Sequence, residues 1–139
     1  MTETLQTLGT LADRHQIDLL GAMDREVSIP VVAGRPQCQG DLIILPSDGG
    51  PIGRAVPPEG VPVIRGEAGG HTHLLVADGP GVTWAAAPAG GQDLGTVHVP
   101  AGSTAYLLHP EHGGNGIGAG TCLVRRQREQ ADEIRMVAD

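Results

Sequence analysis

Two short segments of the chain hold residue types that do chemistry at neutral pH. The first is His71-Thr72-His73 and the second is His109-Pro110-Glu111-His112-Gly113-Gly114. On a strand, residues i and i+2 project from one face about 7 Å apart, so both imidazoles of a His-x-His can reach one metal ion. The second segment sets two imidazoles and a carboxylate at a corner that Pro110 restrains and Gly113-Gly114 allow to turn. The combined donors are three or four nitrogens and an oxygen. That mix suits Zn²⁺, Fe²⁺, Mn²⁺ or Ni²⁺ better than Ca²⁺, which takes oxygen ligands. His71, His73, His109 and His112 are therefore the candidate metal ligands, with Glu111 as a general base or an orienting group. Glu67, ahead of the Gly69-Gly70 pair, is the other catalytic candidate, as a group that orients an imidazole or pairs with Arg65, the alternative being a solvated turn residue. The alternative is a set of hydrogen-bonding or wet histidines beside glycine-rich turns. Clustering weighs against it, since five of the six histidines fall between residues 71 and 112. The fifth, His98, has the parity of Leu94 and Thr96 and is a further ligand candidate, whereas His15 reads as packing or surface.

The elements that must position these residues are mostly strands. Short apolar runs broken by Gly, Pro and Asp predict strands at 27–33, 41–46, 61–65, 71–77, 82–86, 94–99, 103–109 and 121–128. Pro46-Ser47-Asp48-Gly49-Gly50, Asp78-Gly79-Pro80-Gly81, Pro88-Ala89-Gly90-Gly91 and Pro100-Ala101-Gly102 carry turn chemistry. Segment 50–60 reads as an ordered loop crossing an edge. Residues 2–23 are the one helical pattern: Thr2 or Thr4 caps it, and Leu5, Leu8, Leu11, Ala12, His15 and Leu19 share a face. Gly21 ends the pattern. The expected architecture is all-β, a small sandwich or barrel with an N-terminal amphipathic helix. Residues 1–26 form the helical segment and 27–139 the β domain. The tail from Gln130 to Asp139 is a short closing helix or a last strand.

Composition sets the outer limits. A chain of 139 residues buries a core without staples, and its 22 Gly and 11 Pro fit a turn-rich β fold, given recurrent runs such as Leu42-Ile43-Ile44-Leu45. A net charge of −7 argues against nucleic acid and anionic membranes as partners. Arg125-Arg126-x-Arg128 is the exception, on a strand with Arg125, Gln127 and Glu129 on one face. That strand lines the histidine pocket, makes an inter-subunit contact, or is a charge-protected edge. Cys38 and Cys122 lack CxxC spacing and read as free thiols, a single bridge being the alternative, with Cys122 in the core. No apolar run is long enough for a membrane helix. The expected location is cytoplasmic, or within a particle assembled there.

Two resemblances arise at these residues. Gly66-x4-His71-x-His73-x4-Asp78-Gly79 and Gly95-x4-Pro100-x-Gly102 resemble the two motifs of the cupins, small β-barrels with a metal site. Asp78 stands where that family has Glu, and Ala105 stands where its last His falls. A second likeness covers residues 39–129. Gln39-Gly40-Asp41, Gly66-Glu67-x-x-Gly70-His71-x-His73, Leu108-His109-Pro110-Glu111-His112-Gly113 and Arg126-Gln127-Arg128-Glu129 resemble a family of small uncharacterised proteins from bacteria and phages. It implies a shared fold and a site at Glu67, His71, His73, His109, Glu111, His112, Gln127 and Glu129, and lends no reaction.

The functional expectation is a small metal-binding β protein that self-associates, with no reaction or small-molecule ligand named by the residues. The alternative is a structural or assembly subunit of a phage-like particle or other large homo-oligomer, with histidines at an inter-subunit site. A plain ligand-binding or adaptor domain with wet histidines is the third reading.

Overall fold

The structure is a computed structural model that describes residues 6–20, 23–64 and 72–127. Among the described residues, one helix, α1 (Leu8–Arg14), precedes eleven strands. These are β1 (Val31–Val32), β2 (Gln37–Gln39), β3 (Leu42–Ser47), β4 (Arg54–Ala55), β5 (Val61–Pro62) and β6 (Leu74–Asp78). β7 (Thr83–Ala86), β8 (Asp93–Val99), β9 (Thr104–His109), β10 (Gly113–Ile117) and β11 (Gly120–Arg126) complete the set. They form two open sheets, ordered β1-β10-β9-β6-β5 and β2-β3-β11-β8-β7-β4. The expected all-β fold with a leading helix is thus present as a sandwich, and no barrel closes among the described residues.

Alternation along the strands explains the layering. Leu75, Ala105, Leu107 and Ile117 of the five-stranded sheet meet Leu42, Ile44, Trp84, Val97 and Val124 of the six-stranded sheet in one buried cluster. The opposite face of the five-stranded sheet shows Val76, Tyr106 and Leu108, which pack with Leu8 and Leu11 of α1 and with Ile29. β9 is therefore covered on both faces, and five of its six residues are buried. An amphipathic helix seated on a sheet buries its stripe without a partner chain.

Several expectations change in detail. The helix is shorter than the 2–23 pattern and is capped by Thr7, whose side chain accepts from the Thr10 N–H. Thr2, Thr4, Gly21 and the tail from Gln130 lie outside the described residues. The strand expected at 27–33 is only β1, because residues 27–29 pair instead with the segment before the helix: Leu8 N–H donates to Val27 O, and Ile29 N–H to Gln6 O. The glycine-rich segment after His112, expected as a loop, is strand β10, flanked by β1 and β9. Crowding dictates Gly116, since a Cβ there would lie 2.5 Å from Pro30 O. β11 is paired on both sides, by β3 and β8, so it is not a charge-protected edge.

Candidate functional site

The histidine corner follows from strand register. β6 and β9 are antiparallel with Leu74 opposite Leu108, so His73 and His109, one step further, stand side by side and point between the sheets. A three-residue turn, Pro110-Glu111-His112, then joins His109 to its partner Gly113 in β10. Gly113 has φ +80, the left-handed residue that commonly closes such a loop. The turn folds His112 back over the pair. Ring centroids are 4.3 Å apart for His73 and His109, 4.6 Å for His109 and His112, and 6.2 Å for His73 and His112. His73 and His109 are buried and His112 is exposed, so the cluster runs from the sandwich interior to its rim.

The opposite wall comes from the other sheet. β2 and β3 are joined by the two-residue turn Gly40-Asp41. Gly40 has φ +58, and a Cβ there would lie 2.7 Å from the His112 ring. Glycine is required both by the turn and by the imidazole lying on it. Gln39, 2 % exposed, donates through Nε2 to Leu107 O at 2.7 Å and to Asn115 Oδ1 at 2.9 Å. A backbone carbonyl can only accept, so the amide nitrogen must face it and Oε1 must face His73. The contact of Oε1 with His73 Nδ1, at 2.9 Å, then requires a hydrogen on Nδ1. In the neutral ring this leaves the lone pair on Nε2, and Asp41 Oδ1 stands 3.6 Å from that atom.

Asn115 extends this arrangement by donating to Gln37 Oε1 and Cys38 O, each at 3.1 Å. Gln37 returns a bond to Gly116 O. Gln37, Asn115, Gln39 and His73 thus form a polar seam that ties β2 of one sheet to β10, β9 and β6 of the other. Burial, and then the neighbouring His109, hold the His73 pKa down to about 4, although Asp41 pulls the other way. At neutral pH the 3.6 Å approach to Asp41 therefore involves an uncharged imidazole and is not an ion pair.

The sequence candidates sort as follows. His73, His109 and His112 come together; His71, Glu67, Arg65, Arg128 and Glu129 lie outside the described residues. Glu111 is exposed, and its backbone N–H donates to His109 Nδ1 at 3.1 Å. His98 is in the other sheet, against Thr121 Oγ1 at 3.1 Å, and His15 caps the end of α1. Arg125 is held by Asp93 at 3.0 Å. Gln127 reaches Leu42 O and Cys38 Sγ, and so braces the hairpin that carries Asp41. Asp78 is at the far end of β6 from His73. Cys38 and Cys122 are free thiols, exposed and buried respectively. Among the described residues, no three His, Cys, Asp or Glu side chains are grouped as ligands of one ion, and no helix is long and apolar enough to cross a membrane. Gln39, Asp41 and Asn115 were missing from the candidates. Gln39 and Asp41 had one signal, the Gln39-Gly40-Asp41 string of the second resemblance, and Asn115 had none.

A family model described as Domain of unknown function (DUF8820) matches residues 38–127. The chain belongs to this family. The DUF8820 match begins at the residue before Gln39 and ends at Gln127, so it takes in both walls of the histidine corner and leaves α1 outside. No curated protein and no solved structure matches the chain.

Proposed function

We propose that this DUF8820 protein binds a divalent transition-metal ion at the corner between its sheets, with His73 Nε2 and the Asp41 carboxylate as its inner donors. The observation that carries the reading is the orientation of His73 by Gln39. A carbonyl oxygen on Nδ1–H is the usual arrangement behind a metal-ligating imidazole, because it fixes the tautomer that presents Nε2. Two donors on one tetrahedral ion with bonds of ~2.1 Å lie about 3.4 Å apart, close to the 3.6 Å seen here. His112, on the exposed side beside Gly40, is the next donor, and the His109 ring lies between His112 and His73. Such a set leaves positions for water, for a ligand oxygen or for a donor from a second chain.

A second reading is favoured by the polar seam itself: the histidines close the sandwich edge structurally and contribute to assembly. The two readings separate in one experiment. Zinc is titrated calorimetrically into metal-stripped protein, and the mass in solution is measured with and without zinc. Metal binding predicts one ion per chain, with affinity reduced at least tenfold in His73→Ala and in Asp41→Asn. One-third of an ion per chain with a trimeric mass places the site between subunits. Absence of zinc binding, or affinity unchanged in both variants, overturns the metal reading and leaves the structural one.

A further inference from the structure

The sheets also part at the ends that carry β5 and β7, next to the histidine corner, where Val63 N–H donates to His73 O at 3.1 Å. There Val61, Pro62 and Val63 face Trp84 and Ala86 across a cleft of two lobes, about 310 Å³ and 610 Å³. Val61, Trp84 and Ala86 line both lobes, so the two lobes share a wall. The volumes are those of pockets that take small organic ligands. Trp84 is the single tryptophan of the chain and is 8 % exposed. Its place depends on glycine, because a Cβ on Gly95 would lie 2.4 Å from the indole ring.

The polar groups of the cleft are few and unequal. Asp93 lines the smaller lobe, but its carboxylate is engaged by Arg125 at 3.0 Å. Arg126 lines the same lobe and is partly buried, and among the described residues no carboxylate pairs with it. Its backbone N–H donates to Gln92 O, which fixes the strand at that point. Arg54, in the other lobe, is exposed, where a charge contact is weak. A cleft lined mainly by apolar side chains, with one partly buried arginine, suits an apolar body bearing an anion, and the planar fork of arginine matches a carboxylate.

We propose that this cleft binds a small apolar carboxylate, its body against Trp84 and its carboxylate on the Arg126 guanidinium. The site uses none of the corner's histidines and needs no metal there. Trp84 emission reports on it directly. The test titrates the intact protein with decanoate and with decanol, then repeats both on Arg126→Gln and on Ala86→Leu, whose side chain intrudes on both lobes. The expected result is saturable quenching or shift by decanoate, with decanol at least tenfold weaker. Arg126→Gln should abolish that preference, and Ala86→Leu should weaken both probes. Equal binding of acid and alcohol to the unaltered protein overturns the carboxylate anchor, and this comparison needs no variant. No response of Trp84 to either probe overturns the site.

Discussion

Gln39 is the residue on which the histidine corner turns. Among the described residues it is one of five buried polar or charged side chains, with His73, Thr96, Ser103 and His109, and it serves three partners at once. Gln39→Ala strips a partner from His73 Nδ1–H, Leu107 O and Asn115 Oδ1 together. At about 1–3 kcal/mol for each buried group left unsatisfied, partly relieved by relaxation, the expected loss is about 2–4 kcal/mol. Urea denaturation checks it, and a loss under 1 kcal/mol would mean that the seam does not hold the corner. His73 carries a pH signature. Its folded pKa of about 4 lies below the usual 6.5, so between those values the unfolded chain takes a proton that the folded chain refuses. Stability should be flat above pH 6.5 and fall by up to about 3 kcal/mol toward pH 4. His109, His112 and Asp41 face the same ring, so the comparison is with His73→Gln, in which that part of the slope should vanish; parallel curves would sink the assignment. None of this was legible in Gln39 itself. A glutamine gains such a role only through a carbonyl 68 positions away in sequence, whereas histidines announce their chemistry by type.

At the level of elements, apolar runs bounded by Gly, Pro and Asp made β3, β6, β8, β9 and β11 readable to within a few residues. The strands they missed lack that signal for physical reasons. β2 is Gln-Cys-Gln, and its inward residue is polar because it faces the seam. β10 is Gly-Gly-Asn-Gly-Ile, a composition that reads as loop, and its glycines make sense only once Pro30 and Ile29 lie against it. Graded substitutions test that explanation. Gly116→Ala drives a methyl to 2.5 Å from Pro30 O and should cost about 2–3 kcal/mol. Gly114→Ala meets only Leu108 Cδ2 and Ile29 Cδ1, at 3.1 and 3.2 Å, and should cost about 1 kcal/mol or less. Thermal midpoints should keep that order; a reversed order would mean that the strand is not held by close approach. The turn Gly40-Asp41 gives a third case, because Gly40→Ala strains the backbone and displaces the His112 ring. Zinc affinity should fall there more than stability does.

For the whole molecule, the helix is a layer rather than an appendage. Val76, Tyr106 and Leu108 are no more than 3 % exposed, and α1 with its flanking residues is what covers them. Removing residues 1–26 should therefore yield protein that binds hydrophobic dyes and partitions to the insoluble fraction. A soluble, dye-silent truncation would show that the β domain completes itself. The overall class was legible because turn chemistry and aliphatic runs suffice for a sandwich, but which edges meet was not, since strand order depends on contacts far apart in sequence. The polar seam has a consequence for that meeting of edges. Aliphatic packing tolerates a small slide of one sheet over the other, since dispersion contacts have little directional preference. The bonds among Gln37, Asn115, Gln39 and His73 do not tolerate it, and so they act as an alignment key. Repacking the interior with other aliphatics should leave the sheets in the same relative position as long as that key is intact.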